Sequence, residues 1–146
     1  MDHSLMKIRT TKLTEKTQGY CDIIDITAKV QGQIQKEKIH RGLATLFVSG
    51  STAALTTIEY EPGLVEDLKE LLERFIPSNK KYHHDDRWGD DNGFSHLRAA
   101  LLGPSLQIPI ESGRLLLGTW QQIVLLDFDN RPRTREIMIQ IMGETE

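Results

Sequence analysis

Two histidines and a group of aspartates are the residues of this chain best suited to chemistry. His84 and His96 lie twelve positions apart, with Asp90 and Asp91 between them. Imidazole and carboxylate groups are the usual ligands of Zn²⁺ and similar metals, and they are also the common groups for proton transfer. No standard zinc motif has this spacing, so a solvated acidic loop is the simpler interpretation of the spacing alone.

The position of His96 favours a neutral ring. It is expected in the first turn of a helix that begins after Asn92 and ends at Gly103-Pro104. The positive end of the helix dipole disfavours imidazolium there, and a metal site or a hydrogen-bond acceptor needs the neutral form. If the preceding segment is an extended loop, the side chains of His83 and His84 point to opposite sides, and only one of them can join His96.

A small polar segment and a strand carboxylate are further candidates. Ser51 and Thr52 follow Gly50 at a break between two predicted strands, where backbone and hydroxyl groups can approach a ligand closely. An ordinary turn would explain the same residues. Glu59 lies within a predicted strand that is otherwise apolar and hydroxylic, so it lies either on a solvated face or in a buried functional site.

Two later groups have the composition of a substrate site. Trp120 and Gln121 precede a strand and could stack on a heteroaromatic ring and hydrogen-bond its edge. A tryptophan in the core or in a subunit interface is the alternative. Arg133 and Arg135 would point to one face of a strand, where two guanidinium groups can hold a phosphate. A solvated strand end is equally compatible with the spacing.

The pattern of apolar residues predicts an α+β fold with mainly antiparallel sheet in two packed layers. An apolar stripe that starts at Ile23 predicts a helix, Pro62 opens the strongest helix, and a third helix would follow Asn92. Alternation and β-branched content predict the strands. They are expected at Met6–Leu13, Gly42–Val48 and Thr52–Tyr60, and then as a meander at Leu106–Ile110, Arg114–Leu117, Gln122–Phe128 and Glu136–Met142.

Length and composition indicate a single domain over residues 1–146. The chain has 146 residues, of which 38% are apolar and 27% charged, and Cys21 is its one cysteine. These values favour a globular protein of the reducing cytoplasm. The net charge of -3 argues against a nucleic-acid partner. No apolar run approaches the roughly 20 residues of a membrane span, so we expect no membrane partner.

Taken together, these residues resemble the YjbQ-like family of small proteins, which is also named for a secondary thiamin-phosphate synthase activity. About a hundred residues carry the resemblance in order, and the stretch from His96 to Gln121 is its most specific part. The matching residues are Gly42-Leu43, Ser51-Thr52-Ala53, Glu59, Asp67, Pro77, Tyr82-x-His84, Ser95 to Ser105 (with Arg98 variable), Ile108-Pro109-Ile110, Gly113 to Gln121 (with Leu116 variable) and Arg133-x-Arg135.

The resemblance implies a two-layer β-sandwich with two to three helices, assembled as a homotrimer. It also implies a polar pocket to which His84, His96 and Glu59 contribute, and metal binding at this place in some members. The metal would be a divalent ion, zinc or magnesium, held by His84 and His96. Asp90, Asp91 or Glu59 could complete its shell, and we predict Asp91.

One departure from the family pattern concerns the metal directly. Many members carry histidine where this chain has Ser51, so a soft nitrogen ligand is replaced by a hydroxyl group. The loss should weaken any transition-metal site. The remaining imidazoles, His84 and His96, would then have to hold the ion with carboxylates alone.

The resemblance implies three alternatives for function. The first is thiamin-phosphate synthase, which would join hydroxymethylpyrimidine diphosphate to thiazole phosphate and release pyrophosphate. Trp120 and Gln121 would bind the pyrimidine, while Arg133, Arg135 and a divalent ion would neutralise phosphates, with Ser51 and Thr52 as further contacts. The second is a metal-dependent hydrolase of unknown substrate. The third is a non-catalytic trimer that binds a phosphorylated small molecule.

Overall fold

The computed structural model describes residues 6–145, which form eight strands and four helices. The α+β class predicted from sequence is confirmed, although the helices number four rather than two to three. The strands are β1 Lys7–Thr17, β2 Asp22–Asp25, β3 Ile39–Val48, β4 Ala53–Ile58, β5 Ser105–Glu111, β6 Arg114–Leu115, β7 Gln122–Asp127 and β8 Arg133–Thr145; the helices are α1 Thr27–Lys36, α2 Pro62–Phe75, α3 His83–Trp88 and α4 Gly93–Leu102.

The strands form two antiparallel sheets that pack face to face. The larger sheet has the order β1-β8-β3-β5-β6 and the smaller has the order β2-β7-β4. Leu46 and Ile139 of the larger sheet and Leu55 and Leu125 of the smaller belong to one buried core cluster, which Ile34 of α1 joins. Burial of such side chains away from water is the main force that holds the two layers together.

Helices α2 and α4 cover the second face of the smaller sheet. Leu72 of α2 and Ala99 of α4 form a second buried cluster with Ala54, Val124 and Leu126 of that sheet. Strand β7 is therefore buried on both faces, which explains its continuous apolar run. This arrangement brings the start of α4 to the end of β7, where the candidate histidine lies.

The strong prediction for α2 is confirmed, and local chemistry explains its start. Pro62 is its first residue, where the missing N–H group costs nothing because no intrahelical partner exists. The carboxylate of Glu61 accepts hydrogen bonds from Gly63 N at 2.7 Å and from Leu64 N at 2.8 Å. Glu61 thus satisfies two N–H groups that the helix leaves unpaired.

Two details of the predicted fold were wrong. The helix expected from Ile23 begins at Thr27, and Asp22–Asp25 forms an edge strand paired with β7. The last four strands do not form a meander, because β7 lies in the smaller sheet and β8 lies between β1 and β3. Only β5 and β6 form the expected hairpin.

None of the helices within residues 6–145 is long and apolar enough to cross a lipid bilayer.

Candidate functional site

The segment predicted as a loop contains the short helix α3, which carries His84. The carboxylate of Asp85 accepts a hydrogen bond from Tyr82 N at 3.0 Å, at the start of this helix. Its other oxygen accepts from Gly93 N, the first residue of α4, at 2.9 Å. A Cβ atom at Gly93 would lie only 2.9 Å from that oxygen, so glycine permits this close contact. Asp85 thereby fixes α3 against the start of α4.

This contact places the two predicted histidines together. The ring centroids of His84 and His96 lie 4.5 Å apart, with an angle of 40° between the ring planes. His84 Nδ1 lies 3.5 Å from Asp85 Oδ1 and 3.7 Å from Asp90 Oδ1. His83, next along α3, is exposed, which agrees with the choice of His84. The geometry joins two imidazoles and two carboxylates at one point of the surface.

The carboxylate nearest to the histidines is Asp90 rather than Asp91. Within residues 6–145, the ligand atoms of His84, Asp85 and Asp90 lie within 4.8 Å of one another. Asp91 is exposed and has a positive φ of 56°, in the left-handed region. The role predicted for Asp91 as a metal ligand stays a prediction, and Asp90 and Asp85 are the carboxylates that the structure brings to His84.

The environment of His96 favours its neutral form. Burial lowers the pKa of His96, and the neighbouring His84 lowers it further, since two imidazolium ions at this distance would repel each other. The charges of Asp129 and Asp90 and a hydrogen bond to the Ser51 backbone oppose this effect, but the pKa remains below its ordinary value. His96 therefore has the protonation state that a metal ligand or a general base requires.

We expect the lowered pKa of His96 to make the folded protein less stable in mild acid. Below about pH 6.5 the unfolded chain binds a proton at this residue more readily than the folded chain does. The free energy of unfolding therefore decreases as the pH is lowered below this value. Above that pH the residue makes no such contribution. Urea unfolding between pH 5 and 8 measures the effect. His96→Gln should remove this part of the pH dependence, whereas His83→Gln should keep it; equal slopes for wild type and His96→Gln would contradict the prediction.

A buried ion pair lies at the turn that precedes β4, and the backbone of Ser51 in the same turn bonds to His96. Asp127, at the end of β7, accepts hydrogen bonds from Arg135 Nε at 2.7 Å and Arg135 Nη2 at 2.8 Å. Thr17 of β1 donates to the same carboxylate at 2.5 Å, and Arg135 Nη2 donates to Thr52 Oγ1 at 2.5 Å. Asp127 is fully buried and Arg135 is 7% exposed. This pair ties both sheets to the turn that precedes β4.

A second carboxylate, Asp129, connects the same turn to helix α4. It accepts hydrogen bonds from Thr52 Oγ1 at 3.1 Å, from Arg133 Nε at 2.8 Å and from Asn92 Nδ2 at 3.2 Å. Burial alone would raise the pKa of Asp129, but these bonds and one from Asn130 N lower it. The carboxylate is therefore ionised, and its charge acts on His96.

These contacts locate four of the residues predicted from sequence. The backbone of Ser51 bonds to His96. Thr52, the next residue, binds Asp129 and Arg135, and Asp129 also binds Arg133. The two guanidinium groups already bind carboxylates. The 34% exposed side chain of Arg133 retains more access to a ligand than the 8% exposed side chain of Arg135. Binding of phosphate by both arginines stays a prediction.

Sequence reasoning missed Asp127 and Asp129, although one signal was present. Both follow the apolar run of β7, and Phe128 between them is fully buried. A carboxylate at the end of a strand that is buried on both faces needs a cation or several donors. The alternating Arg133 and Arg135 on the next strand are the cations that satisfy this need.

A cavity opens beside His96. Its volume is about 230 Å³, and it is lined by His96, the turn at Gly50 and Ser51, and small residues of α4 and β4. This volume lies below the roughly 300–1,000 Å³ of typical ligand pockets. The cavity of one chain thus accommodates a small molecule or one part of a larger molecule.

The remaining predicted residues lie in a different cleft. Glu59 and Trp120 line a space of about 380 Å³ beyond the far end of β4. Gln121 donates a hydrogen bond to Thr57 Oγ1 at 3.0 Å in the same region. Because six extended residues of β4 span roughly 20 Å, Glu59 of one chain does not reach His96 of that chain. The structure therefore divides the predicted residues into two groups.

Comparison with known proteins identifies the family. The model of the "UPF0047 protein YjbQ-like" family matches residues 11–144. A UPF0047 protein of Archaeoglobus fulgidus is 42% identical over 131 residues, which cover 90% of this chain and 99% of that protein. The UPF0047 protein YugU of Bacillus subtilis is 36% identical over 138 residues, which cover 94% of this chain and 97% of that protein.

Solved structures agree with the sequence relatives. A YbjQ-like protein of unknown function from Sulfolobus solfataricus superposes with a TM-score of 0.90 at 34% identity, covering 96% of this chain and 100% of that one. A hypothetical protein from Aeropyrum pernix gives a TM-score of 0.86 at 32% identity, covering 93% and 99% of the two chains. The chain belongs to the UPF0047 family of YjbQ-like proteins.

Proposed function

We propose that this protein is a divalent-metal-dependent enzyme that acts on a phosphorylated small molecule at the His84–His96 site. The observation that carries the proposal is the group formed by two facing imidazoles, Asp85 and Asp90, beside a cavity. Neutral imidazole and carboxylate are the donors that zinc-class ions prefer in catalytic sites.

The donor geometry fits such an ion. Ligands at about 2.0–2.1 Å from a tetrahedral centre lie roughly 3.3–3.4 Å from one another. The distances from His84 Nδ1 to Asp85 and Asp90, 3.5 and 3.7 Å, are close to this value. In addition, Asn92 Oδ1 is buried without a hydrogen-bond partner among residues 6–145. A bound cation or its hydration shell is one group that would satisfy this oxygen.

The residues around the donors have distinct roles in this proposal. His84, Asp85 and Asp90 would hold the ion, and Asp85 would also fix α3 against α4. A divalent ion bound there would neutralise phosphate charge on the substrate. Neutral His96 would accept a proton at its free ring nitrogen, and Asp129 would stabilise the resulting imidazolium. The exposed part of Arg133 would bind a phosphate oxygen.

The reaction to which we assign this site is thiamin-phosphate synthesis, in which pyrophosphate leaves hydroxymethylpyrimidine diphosphate and thiazole phosphate takes its place. Trp120 is 72% exposed and offers a free ring face for stacking on the pyrimidine. Since Trp120 and Glu59 lie in the second cleft, they can serve the histidine site only from a neighbouring subunit. We accordingly propose that the protein works in the cytoplasm as a homotrimer.

The cavity size favours one alternative, a metal-dependent hydrolase of a small phosphorylated substrate. A space of about 230 Å³ holds one small substrate more readily than two. In that case water would be the second reactant, and no partner cleft would be needed.

An assay with both substrates distinguishes these functions. Purified protein is incubated with hydroxymethylpyrimidine diphosphate, thiazole phosphate and Mg²⁺ or Zn²⁺, and both thiamin phosphate and free phosphate are measured. We expect thiamin phosphate from the wild type and none from His96→Ala. No product above the His96→Ala level would overturn the synthase proposal, and release of phosphate without thiamin phosphate would favour the hydrolase.

A further inference from the structure

A second cavity lies against the side of α4 that faces away from the histidine site. Its volume is about 280 Å³, and Phe94 and Arg98 form its wall on α4. The cavity beside the histidines is lined instead by His96, Ala99 and Ala100 of the same helix. Since residues four apart share one side of a helix, Phe94 and Arg98 point to one side of α4 and His96 points to the other. The second cavity is therefore separate from the site proposed above.

The guanidinium group of Arg98 is buried, yet one of its nitrogens is left for a ligand. Arg98 is 2% exposed. Its Nε and Nη2 donate hydrogen bonds to Ile76 O at 3.1 and 2.7 Å, and Nη2 also donates to Glu73 Oε2 at 2.9 Å. Nη1 makes no hydrogen bond within residues 6–145, and it is not a fully buried atom, so the small exposed area of Arg98 at the cavity includes it. A guanidinium nitrogen in such a position is a strong donor to a carboxylate.

A second cation, Lys69 of α2, lies at the same cavity. Burial raises the pKa of the Cys21 thiol, which also lines the cavity, to about 11, and the charges of Arg98 and Lys69 act against this rise. Both cations therefore lie close to the thiol. Lys69 has no ion pair within the described residues. Two cations around one small cavity favour an anionic group on its ligand.

Negative charge lies at the rim of this cavity. Glu66 and Glu70, one turn apart on α2, line it and are exposed. Neither forms an ion pair in the part of the chain that the structure describes. Glu73, the next carboxylate on this side of α2, differs because Arg98 and the backbone and hydroxyl groups of Ser78 already bind it. Free carboxylates beside free cations suit a ligand that carries both charges.

The floor of the cavity is apolar. Phe94 is 2% exposed and Cys21 is 5% exposed. A buried free cysteine behaves as a small hydrophobic residue, and a phenylalanine ring adds a large apolar surface. This apolar floor, formed by Phe94 and Cys21, suits an aliphatic side chain.

An unusual turn places Cys21 at the cavity. Gly19, Tyr20 and Cys21 have positive φ angles of 81°, 52° and 65° in succession. Residues other than glycine rarely adopt this left-handed conformation, and such strain is concentrated at ligand sites. A hydrogen bond from Tyr20 N to Asp129 O at 2.7 Å holds the turn in this conformation.

We propose that this cavity binds a free α-amino acid with an aliphatic side chain, such as leucine. The carboxylate of the ligand would bond to Arg98 Nη1 and Lys69. Its ammonium group would bond to Glu66 and Glu70, and its side chain would pack on the apolar floor. The volume of about 280 Å³ is room for roughly nine waters at about 30 Å³ each, and leucine has about nine non-hydrogen atoms.

Titration calorimetry with L-leucine and two analogues tests the charge pattern. Isocaproate is leucine without its amino group, and isoamylamine is leucine without its carboxylate. We expect leucine to bind saturably, and each analogue to bind at least about tenfold more weakly, because each leaves charged groups of the site without a partner. Absence of saturable leucine binding, or equal affinities for the three compounds, would overturn the proposal.

Four variants of α2 test the position of the charges. Lys69→Met and Glu70→Gln should each weaken leucine binding by at least about tenfold. Arg74→Met and Asp67→Asn remove charges of the same signs from exposed residues of the same helix that do not line the cavity, and they should bind leucine as the wild type does. Equal losses in all four variants would show a response to the general charge of α2 and would contradict the assignment.

Alkylation of Cys21 shows whether leucine occupies this cavity. Cys21 is the one cysteine of the chain, and iodoacetamide at about pH 9 should alkylate it slowly because its pKa is raised. Leucine at about ten times its dissociation constant should slow the reaction about tenfold in the wild type, and no more than about twofold in Lys69→Met.

Leucine binding that leaves the alkylation rate unchanged would place the ligand elsewhere and overturn the proposal. Neither His84 nor His96 lines this cavity. The alkylation result is therefore independent of whether the histidine site has the proposed activity.

Discussion

Asp127→Asn is expected to lower the free energy of unfolding by about 3–5 kcal/mol, because it removes the nearer counter-ion of the buried Arg135 guanidinium and leaves only Asp129, whose Oδ2 lies 3.9 Å from Arg135 Nη2. Asparagine has nearly the shape of aspartate, so the loss reports the charge and the acceptor oxygens rather than a cavity. Asp127 is fully buried and makes two bonds to Arg135, at 2.7 and 2.8 Å. Urea unfolding at pH 7, followed by circular dichroism, measures the change.

The double variant Asp127→Asn/Arg135→Met is the control for this prediction. Removal of both partners leaves no unpaired buried charge, so the double variant should be more stable than Asp127→Asn by about 1–3 kcal/mol. A double variant that is less stable than Asp127→Asn would contradict this prediction. It would show that the pair stabilises the fold through the bonds from Thr17 to Asp127 and from Arg135 to Thr52 rather than through mutual neutralisation of charge. A loss below about 1 kcal/mol in the single variant would show that water reaches the pair.

The parts of the fold that sequence predicted correctly are those whose signals are local. Helix α2 has a proline at its first residue, a capping carboxylate at Glu61 and a continuous apolar stripe, and its bounds are close to those expected. By contrast, β2 was taken for the first turn of α1. Ile23 of the strand and Ile26, Val30 and Ile34 all face cores, and their spacing of three and four imitates one helical face.

The errors in topology arose from contacts between residues that are distant along the chain. Strand β1 pairs with β8 along all of its residues from Lys7 to Thr17, so Lys7 lies opposite Gly143. No local pattern distinguishes this pairing from a hairpin with β7, because register depends on which faces are buried in the assembled sheets. The same holds for part of the site. Asp127 and Asp129 lie close in the chain to their arginines, but their bonds to Thr17, Thr52 and Asn92 join residues that are far apart in the sequence.

The histidine pair shows what residue type and position could and could not provide. Residue type drew attention to the acidic segment, and the family resemblance favoured His84 over His83 as the partner of His96. The structure brings the rings of His84 and His96 to 4.5 Å. The choice between Asp90 and Asp91 depended on the backbone after α3, where Gly89 and Asp91 both have positive φ angles. These left-handed residues turn the chain so that Asp90 faces His84. Turn geometry of this kind is poorly encoded by composition.

We expect His84→Ala to weaken Zn²⁺ binding by at least about 100-fold. Loss of a supporting residue around a metal ligand already costs about 10–100-fold in affinity, and loss of the ligand itself should cost more. Competition with a chromophoric chelator at pH 7 measures the affinity. His83→Ala is the matched control, because His83 is the adjacent, exposed histidine of the same helix and should leave the affinity unchanged.

Variants of Asp90, Asp91 and Ser51 are measured in the same Zn²⁺ competition experiment. Asp90→Asn should weaken Zn²⁺ binding, whereas Asp91→Asn should not, since Asp90 lies 3.7 Å from His84 Nδ1 and Asp91 is exposed. Ser51→His adds an imidazole beside His96, whose ring bonds to the Ser51 backbone, and should tighten binding of a zinc-class ion. Equal losses in His83→Ala and His84→Ala would show that the ion binds the acidic surface in general. Weaker Zn²⁺ binding in His84→Ala but not in His83→Ala, together with tighter binding in Ser51→His, would place the ion between the two histidines and the turn at Ser51. A phosphorylated substrate bound there could reach both the ion and His96.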